Sequence, residues 1–207
     1  TTAKMEGRVT TAGSMVVESR GRNIADAKAE TTAGGIAGAG SATEATAIVD
    51  STVHATVTDG GSATAAPDVH LTGGASVVRA ESIADADADA IGITIGLGGG
   101  AGGSVAVATV TPEVRATIGD NVVFDGTGSL SVEALHNSGL ANSANRADAN
   151  AESSSGGAIA GSGADATSTS SADVAASVGT GSSIGLSGNV AVKADSSNRA
   201  DSKSSGV

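Results

Sequence analysis

The pentapeptide VRATI, residues 114–118, is the clearest indication of the fold, because close copies of it occur both before and after it in the chain. The copies are VHATV at residues 53–57 and VAASV at residues 174–178. In each copy, valine, alanine and isoleucine occupy alternate positions, and this period of two predicts a β-strand rather than a helix. The regular spacing of the copies, about 60 residues, predicts a chain that is built from repeated units, and we call it the repeat period.

Two further series have nearly the same period. Valine followed by a charged and a small residue occurs at residues 17–19, 78–80, 132–134 and 192–194, at successive spacings of 61, 54 and 60. Glycine recurs at positions 35, 96 and 157, at a constant spacing of 61. We therefore assign residues 1–207 to one repetitive segment, with a partial repeat (1–12), three repeats (13–73, 74–127 and 128–187) and a final partial repeat (188–207).

The composition favours a narrow stack over a compact globule. The chain has one phenylalanine and no tyrosine, tryptophan or cysteine, and its apolar share of 39% is mostly alanine and valine. A strand with one such face cannot bury that face alone, but stacked units form a continuous core. The sequence thus predicts an all-β, elongated parallel β-solenoid, with a stacked antiparallel β-repeat array as the alternative. We expect a unit of about 60 residues to form two or three coils, a number that the repeat alone does not fix.

Charge and glycine content argue against nucleic-acid binding and against a membrane-spanning segment. The 22 acidic and 11 basic residues give a net charge of −11, whereas nucleic-acid binding requires clustered lysine and arginine. Residues 91–112 carry no charge, but seven glycines lie between positions 91 and 110, and a membrane-spanning helix requires about 20 predominantly apolar residues. We expect neither nucleic-acid binding nor a transmembrane segment.

The repeated elements V-x-V-x-A, A-D-A-x-A, G-G-x-x-G and V-x-A-x-I-G resemble the repeats of large bacterial surface and secreted proteins, the leukotoxin-like and haemagglutinin-like filamentous adhesins. The resemblance covers the whole chain and is one of composition and repetition. It implies an extracellular or cell-surface rod that acts in adhesion, aggregation or matrix formation. It assigns no ligand-binding residue.

The partners expected for such a chain are copies of itself. The sequence starts and stops in the middle of a unit, and open ends of a solenoid need caps or further units. We therefore expect a longer parent protein whose neighbouring repeats continue the stack, or homotypic assembly, either end to end or lateral.

The segment IADADADAIGITIG, residues 83–96, is the main candidate for a cation site. An EF-hand loop requires glycine at its sixth position and glutamate at its twelfth, and the segment has Ala90 and Gly96 there. Carboxylates two residues apart on a strand lie about 6.5–7 Å apart, too far to share one Ca²⁺ unaided. Aligning the repeats leaves one shared column, which comprises Asp26, Asp87, Asp148 and Asp201. It is a weak candidate Ca²⁺ site, and a solvated strand face is the simpler interpretation.

A second outward column alternates in sign. It comprises Glu18, Arg79, Glu133 and Lys193. If these side chains approach one another they form a charge ladder that helps to fix the register, because like charges directly opposite are unfavourable in sheets.

Other motifs point to no chemistry. Gly98, Gly100 and Gly103 match G-x-G-x-x-G, but a predicted strand follows where a dinucleotide site needs a helix. His54, His70 and His136 occupy different repeat positions, which argues against a zinc site or a catalytic triad. Nothing converges on Arg115 or Arg146, the basic residues near acidic strands, so we expect no enzyme and no cofactor.

The sequence therefore favours a structural extracellular rod or fibre segment. The alternatives are a Ca²⁺-responsive binding module, a β-helix enzyme and an ice-binding solenoid. The last of these rests on alternate threonines such as Thr56 and Thr58, and that pattern does not persist through the repeats.

Overall fold

The structure is a computed structural model and describes residues 1–59, 68–140 and 146–207. All regular elements in these ranges are β-strands, and none of the described segments is a helix that could span a bilayer. The strands are β1 (Thr2–Glu6), β2 (Val9–Ala12), β3 (Val16–Gly35), β4 (Ala39–Val49), β5 (Thr52–Thr58), β6 (Val69–Gly96), β7 (Gly100–Val110), β8 (Glu113–Ile118), β9 (Val123–His136), β10 (Ala147–Gly156), β11 (Ala160–Ser170), β12 (Asp173–Val178), β13 (Ser183–Leu186), β14 (Val190–Ser196) and β15 (Ala200–Gly206).

The described strands form three parallel sheets. Sheet A has the order β1-β5-β8-β12, and sheet C has the order β11-β7-β4. Sheet B is centred on β6, which pairs with β2 and β3 on one side and with β9 and β10 on the other; β13 and β14 then pair with β9, and β15 with β10. The prediction of an all-β chain with parallel pairing is confirmed. The antiparallel alternative is wrong, because all strand pairs between described residues are parallel.

Neighbouring strands come from successive passes of the chain. Val53 pairs with Val114 in sheet A, and Ala25 pairs with Ala86 in sheet B, both at an offset of 61. Sheet C repeats that offset where β4 meets β7. One repeat period therefore corresponds to one pass through each sheet, not to two or three.

A longer connection and a one-residue register shift within β6 account for the irregular spacing of 54, and a second longer connection ends it. Val57 pairs with Ile118 at an offset of 61, whereas Val69 pairs with Phe124 at an offset of 55. The connection from β5 to β6 is therefore six residues longer than that from β8 to β9. A second connection, between β9 and β10, restores the offset to 61.

Alternation of side chains along the strands produces two core clusters. The first lies between sheet A and the N-terminal part of β6 and β9, and it contains valine, leucine, isoleucine and Phe124. The second lies between sheet C and the C-terminal part of sheet B, and it consists almost entirely of alanine with Val49 and Val110. The alternation of alanine with other residues in residues 83–90 predicts that Ala84, Ala86, Ala88 and Ala90 face the interior. This prediction is confirmed, since all four are fully buried.

Strand β6 bends where the sequence analysis placed a repeat boundary. Residues 73 and 74 lie inside β6, and the register with β9 shifts between Thr72 and Ala75. Gly74 has a φ of 80°, a conformation that residues with a Cβ rarely adopt. The chain thus accommodates a register shift at this glycine without leaving the sheet.

Candidate functional site: the acidic column of sheet B

The four aspartates of the predicted column lie on adjacent strands of sheet B. Asp87 pairs with Asp26 on one side and with Asp148 on the other, and Asp148 pairs with Asp201. Parallel neighbours are about 4.8 Å apart, so the carboxylates form a continuous row. The alignment of the repeats predicted this row, because in-register parallel pairing places corresponding residues side by side.

The positions next to this row are mixed in charge. Asp89 pairs with Lys28 and Asn150, and Asn150 pairs with Lys203. Asp85 stands outside the row, since it pairs with Ile24 and its Oδ1 accepts a hydrogen bond of 2.9 Å from the Arg146 backbone N–H. The three aspartates of the motif therefore have three different surroundings. Asp87 belongs to the aspartate row, Asp89 to a column of mixed charge, and Asp85 accepts a backbone hydrogen bond.

The electrostatic environment differs along the row. Burial raises the pKa of Asp87 above its ordinary value, and repulsion from the carboxylates of Asp89, Asp148, Asp26 and Asp85 raises it further. Further along the row, Arg146 forms an ion pair with Asp148, and its Nε lies 3.7 Å from Asp201. The negative charge is therefore least compensated around Asp87.

A shallow groove runs beside the row, with Asp87, Asp89, Asp148, Asn150 and Lys203 as its lining. The Oδ1 atom of Asn150 is buried there and has no hydrogen-bond partner. Among the residues that the structure describes, no three histidine, aspartate or glutamate side chains are grouped closely enough to hold a metal ion. The arrangement suits loose attraction of cations rather than an enclosed coordination site.

The charge ladder has the predicted geometry. Arg79 pairs in register with Glu18 and Glu133, and Glu133 pairs with Lys193. The Arg79 guanidinium donates from Nε and Nη2 to Glu133 Oε2 at 2.8 and 2.6 Å, and its Nη1 lies 3.6 Å from Glu18. The ladder forms on the outer face of the part of sheet B that faces sheet A.

The pKa shifts agree with this geometry. The hydrogen bond to Glu133 raises the pKa of Arg79. A hydrogen bond from Ser131 and then the contact with Arg79 lower the pKa of Glu133. Because the folded-state pKa of Glu133 lies below its unfolded value, its stabilising contribution is present at neutral pH and is lost as the pH falls through the folded-state pKa.

Reversing the central charge of the ladder tests its contribution. We expect Arg79→Glu to lower the free energy of unfolding by about 2 kcal/mol at low salt, because ion pairs are lost and like charges then face each other across strands. Urea unfolding monitored by far-UV circular dichroism measures the change. Arg79→Gln should lose about half as much, and Glu133→Arg in the Arg79→Glu background should restore part of the loss. Equal stability of the two single variants would contradict the ladder.

The three histidines lie in separate places. His54 is 3.3 Å from Glu113 on sheet A, and His70 is 2.5 Å from Asp125 on sheet B. His136 is fully buried at the end of β9. Arg115 forms ion pairs with Glu113 and Asp173. These three side chains form an ion-pair group on the outer face of sheet A.

The surroundings of His136 are a feature that sequence reasoning missed. Asn137, with a φ of 47°, directs its side-chain amide at Ala84, accepting from the Ala84 N–H at 3.0 Å and donating to its C=O at 3.1 Å. The amide thus replaces a backbone partner where the chain leaves sheet B between β9 and β10. The return of the valine spacing from 54 to 60 was the only signal of this departure.

His136 predicts a specific loss of stability in acid. Burial lowers the pKa of His136 from 6.5 to about 4, and its Nδ1 has no hydrogen-bond partner. Between these values the unfolded chain binds a proton that the folded chain does not, so stability falls as the pH is lowered. We expect a loss on the order of 3 kcal/mol from pH 7 to pH 4 through this residue.

Unfolding curves at several pH values measure this loss. His136→Leu should remove the loss of unfolding free energy in acid that His136 causes. His70→Gln, at a half-exposed position, should leave that loss in place. If His136→Leu keeps the full acid slope of the parent chain, the slope arises elsewhere.

The glycine-rich motif forms a corner between sheets B and C. Gly98 lies in the short connection between β6 and β7, and Gly100 and Gly103 lie in β7 itself. A strand follows these glycines, so the helix N-terminus of a dinucleotide site is missing from this described segment. Comparison of the chain with protein-family models, with curated proteins and with solved structures found no match.

Proposed function

We propose that this chain is a segment of a structural, extracellular repeat protein, a parallel β-solenoid in which each repeat unit makes one coil. The observation that carries the proposal is the offset of one repeat period between neighbouring strands, which is common to all three sheets. A chain that passes through sheets B, C and A in turn and meets its own previous pass at each is the geometry of a solenoid. The resemblance of its repeats to bacterial filamentous adhesins supports the extracellular role.

The dimensions of the proposed coil favour a wide structure over a long one. Each unit adds about 4.8 Å along the stack. Strand β6 alone, from Val69 to Gly96, has a length of about 90 Å along its backbone at the usual rise per residue. A few units therefore form a wide support and not a long spacer. Such a support suits surface cover, aggregation or matrix assembly, and its net charge of −11 keeps it soluble.

Deletion of one unit tests the solenoid. Removing residues 54–114 joins Val53 to Arg115, which occupies the position of His54 in the next pass. Nearest-neighbour stacking predicts that this variant keeps its β-sheet circular dichroism and unfolds cooperatively. Removing residues 54–84, about half a unit, joins strands out of register and should abolish the fold. Equal tolerance of both deletions, or loss of the fold in the first, would contradict the proposal.

The extracellular location is tested separately. Antibodies against the chain should label intact cells of the source organism without permeabilisation. Labelling that requires permeabilisation would contradict an extracellular role while leaving the solenoid intact.

The second candidate function is a cation-responsive module centred on Asp87. The raised pKa of Asp87 means that its ionised form is disfavoured in the folded chain, so a bound Ca²⁺ would relieve repulsion and stabilise the fold. On this proposal, millimolar Ca²⁺ raises the melting temperature of the parent chain and has a smaller effect on Asp87→Asn. An unchanged midpoint in the parent chain would reject the module.

A further inference from the structure

The corner between sheets B and C carries a row of exposed aliphatic side chains. In the first pass it is Ile36, in the second Leu97 and in the third Ile159, and they are 84%, 73% and 79% exposed. Each lies in the short connection between its strands of sheets B and C. We call these three side chains the corner ridge.

Backbone hydrogen bonds hold the three connections on top of one another. Leu97 N donates to Gly35 O at 3.1 Å, and Ala39 N donates to Gly99 O at 3.0 Å. Gly100 N donates to Ile159 O at 2.9 Å and joins the third connection to the second. The three connections are therefore stacked at the spacing of neighbouring strands, about 4.8 Å. Ile36 and Leu97 are in register, and Ile159 lies beside Gly99, two residues further along its connection.

The ridge lies in an uncharged strip of an otherwise acidic chain. Residues 31–43, 90–112 and 153–164 contain no charged side chain, and all charged residues of the three passes lie outside these runs. A second copy of a chain with net charge −11 meets like-charge repulsion as a whole. At the corner it meets aliphatic side chains and small residues instead.

We propose that the corner ridge is a lateral self-association surface and that its partner is the ridge of a second copy of this chain. A second copy fits because it presents the same three exposed aliphatic side chains on an equally uncharged corner. In a two-fold arrangement the middle residue, Leu97, contacts Leu97 of the second copy whether the two stacks run parallel or antiparallel.

The strength of this association depends on the number of units. A stable interface buries about 800 Å² on each partner, which three aliphatic side chains reach only together with the flanking strand ends. Each added unit contributes another ridge residue, so the affinity rises along the stack through multivalency. This inference rests on the proposed structural role, and it specifies which surface joins neighbouring stacks.

Disulfide trapping tests the contact, and the absence of cysteine from the chain makes the background clean. Leu97→Cys in the full chain should form a disulfide-linked dimer under copper–phenanthroline oxidation. The matched control is Ile48→Cys, which is 58% exposed on the outer face of sheet C, away from the corner. We expect at least a five-fold faster dimerisation of the Leu97→Cys variant.

Sedimentation velocity over a range of protein concentrations gives a second readout. Replacing Ile36, Leu97 and Ile159 by serine should abolish concentration-dependent self-association, whereas replacing the exposed Val16, Ile24 and Ile48 by serine should not. Equal cross-linking of the two cysteine variants, or equal self-association of the two triple variants, would overturn the proposal. So would a monomeric parent chain that binds zwitterionic lipid vesicles through the ridge. The unit-deletion result is independent of all these outcomes, so a failure here leaves the solenoid proposal standing.

Discussion

Replacing Phe124 by alanine should lower the free energy of unfolding by about 3–5 kcal/mol. Phe124 is the only aromatic residue of the chain and is fully buried at the start of β9, in the cluster between sheets A and B. Its neighbours are held on strands that belong to continuous sheets, so they cannot collapse into the space left by the ring. Because a domain is typically stable by only about 5–15 kcal/mol, this one change removes a large share of the total.

Urea unfolding monitored by far-UV circular dichroism measures the effect, since the chain has no tryptophan for fluorescence. The matched control is Ile48→Ala, which truncates a large apolar side chain that is 58% exposed and should change stability by less than about 0.5 kcal/mol. If Phe124→Ala and Ile48→Ala lose similar amounts, the cluster around Phe124 is not a packed core.

Replacing Gly96 by alanine should have a comparable effect for a different reason. A Cβ at this position would overlap the carbonyl oxygen of Gly99 and come within 3.0 Å of the Ala39 backbone nitrogen. Both obstacles are backbone atoms of the corner, so relief requires the connection after β6 to change its path and the neighbouring pass at Ala39 to move away. We expect a loss at or above the upper end of the range of about 1–3 kcal/mol that is typical of overpacking.

Gly103→Ala is the control for that substitution. Gly103 lies in β7, and a Cβ there meets no atom within 4 Å. Alanine is slightly better than glycine within a strand, so thermal melting should show an unchanged or slightly raised midpoint. A Gly96→Ala variant as stable as Gly103→Ala would show that the corner is looser than the structure describes.

The sequence allowed the parallel in-register columns to be predicted, because one offset relates many positions at once. Asp26, Asp87 and Asp148 align at an offset of 61, and so do Glu18 and Arg79, and both sets are neighbours in the structure. The alternation of alanine and aspartate in residues 83–90 likewise identified the buried side of β6, since side chains on a strand point to opposite faces in turn.

The number of passes per unit could not be predicted. The repeat period is compatible with one wide coil or with several small ones, because the motifs do not say which strands within a unit pair with one another. The structure places Val53, Val78 and Val105 in three different sheets, and the solenoid that we propose therefore has one wide coil per unit.

Local departures from the repeat also could not be predicted from the sequence. Asn137 acts as a substitute backbone partner for Ala84 only because the chain leaves sheet B at that point. Similarly, Leu97 lies within an apolar, glycine-rich run whose hydropathy suggests burial, but the tight corner turns its side chain outward. Both features depend on where the backbone turns, which hydrophobic periodicity does not report.

The proposed solenoid requires each repeat unit to make one pass through sheets B, C and A and to stack on the previous pass. Paired cysteines test it in all three sheets. His54 and Arg115 are register partners in sheet A, Lys28 and Asp89 in sheet B, and Thr46 and Val107 in sheet C, each pair at an offset of 61. Strand neighbours about 4.8 Å apart are within reach of a disulfide, which requires Cα atoms about 4.4–6.8 Å apart.

Mass-spectrometric mapping of disulfides in the three double-cysteine variants is therefore the most direct measurement. We expect an intramolecular disulfide in each variant. We expect none in the control Thr46→Cys/Ala108→Cys, where the second residue faces the core. A disulfide in the control, or failure of any one of the three pairs while the variant stays folded, would contradict the single stacked register.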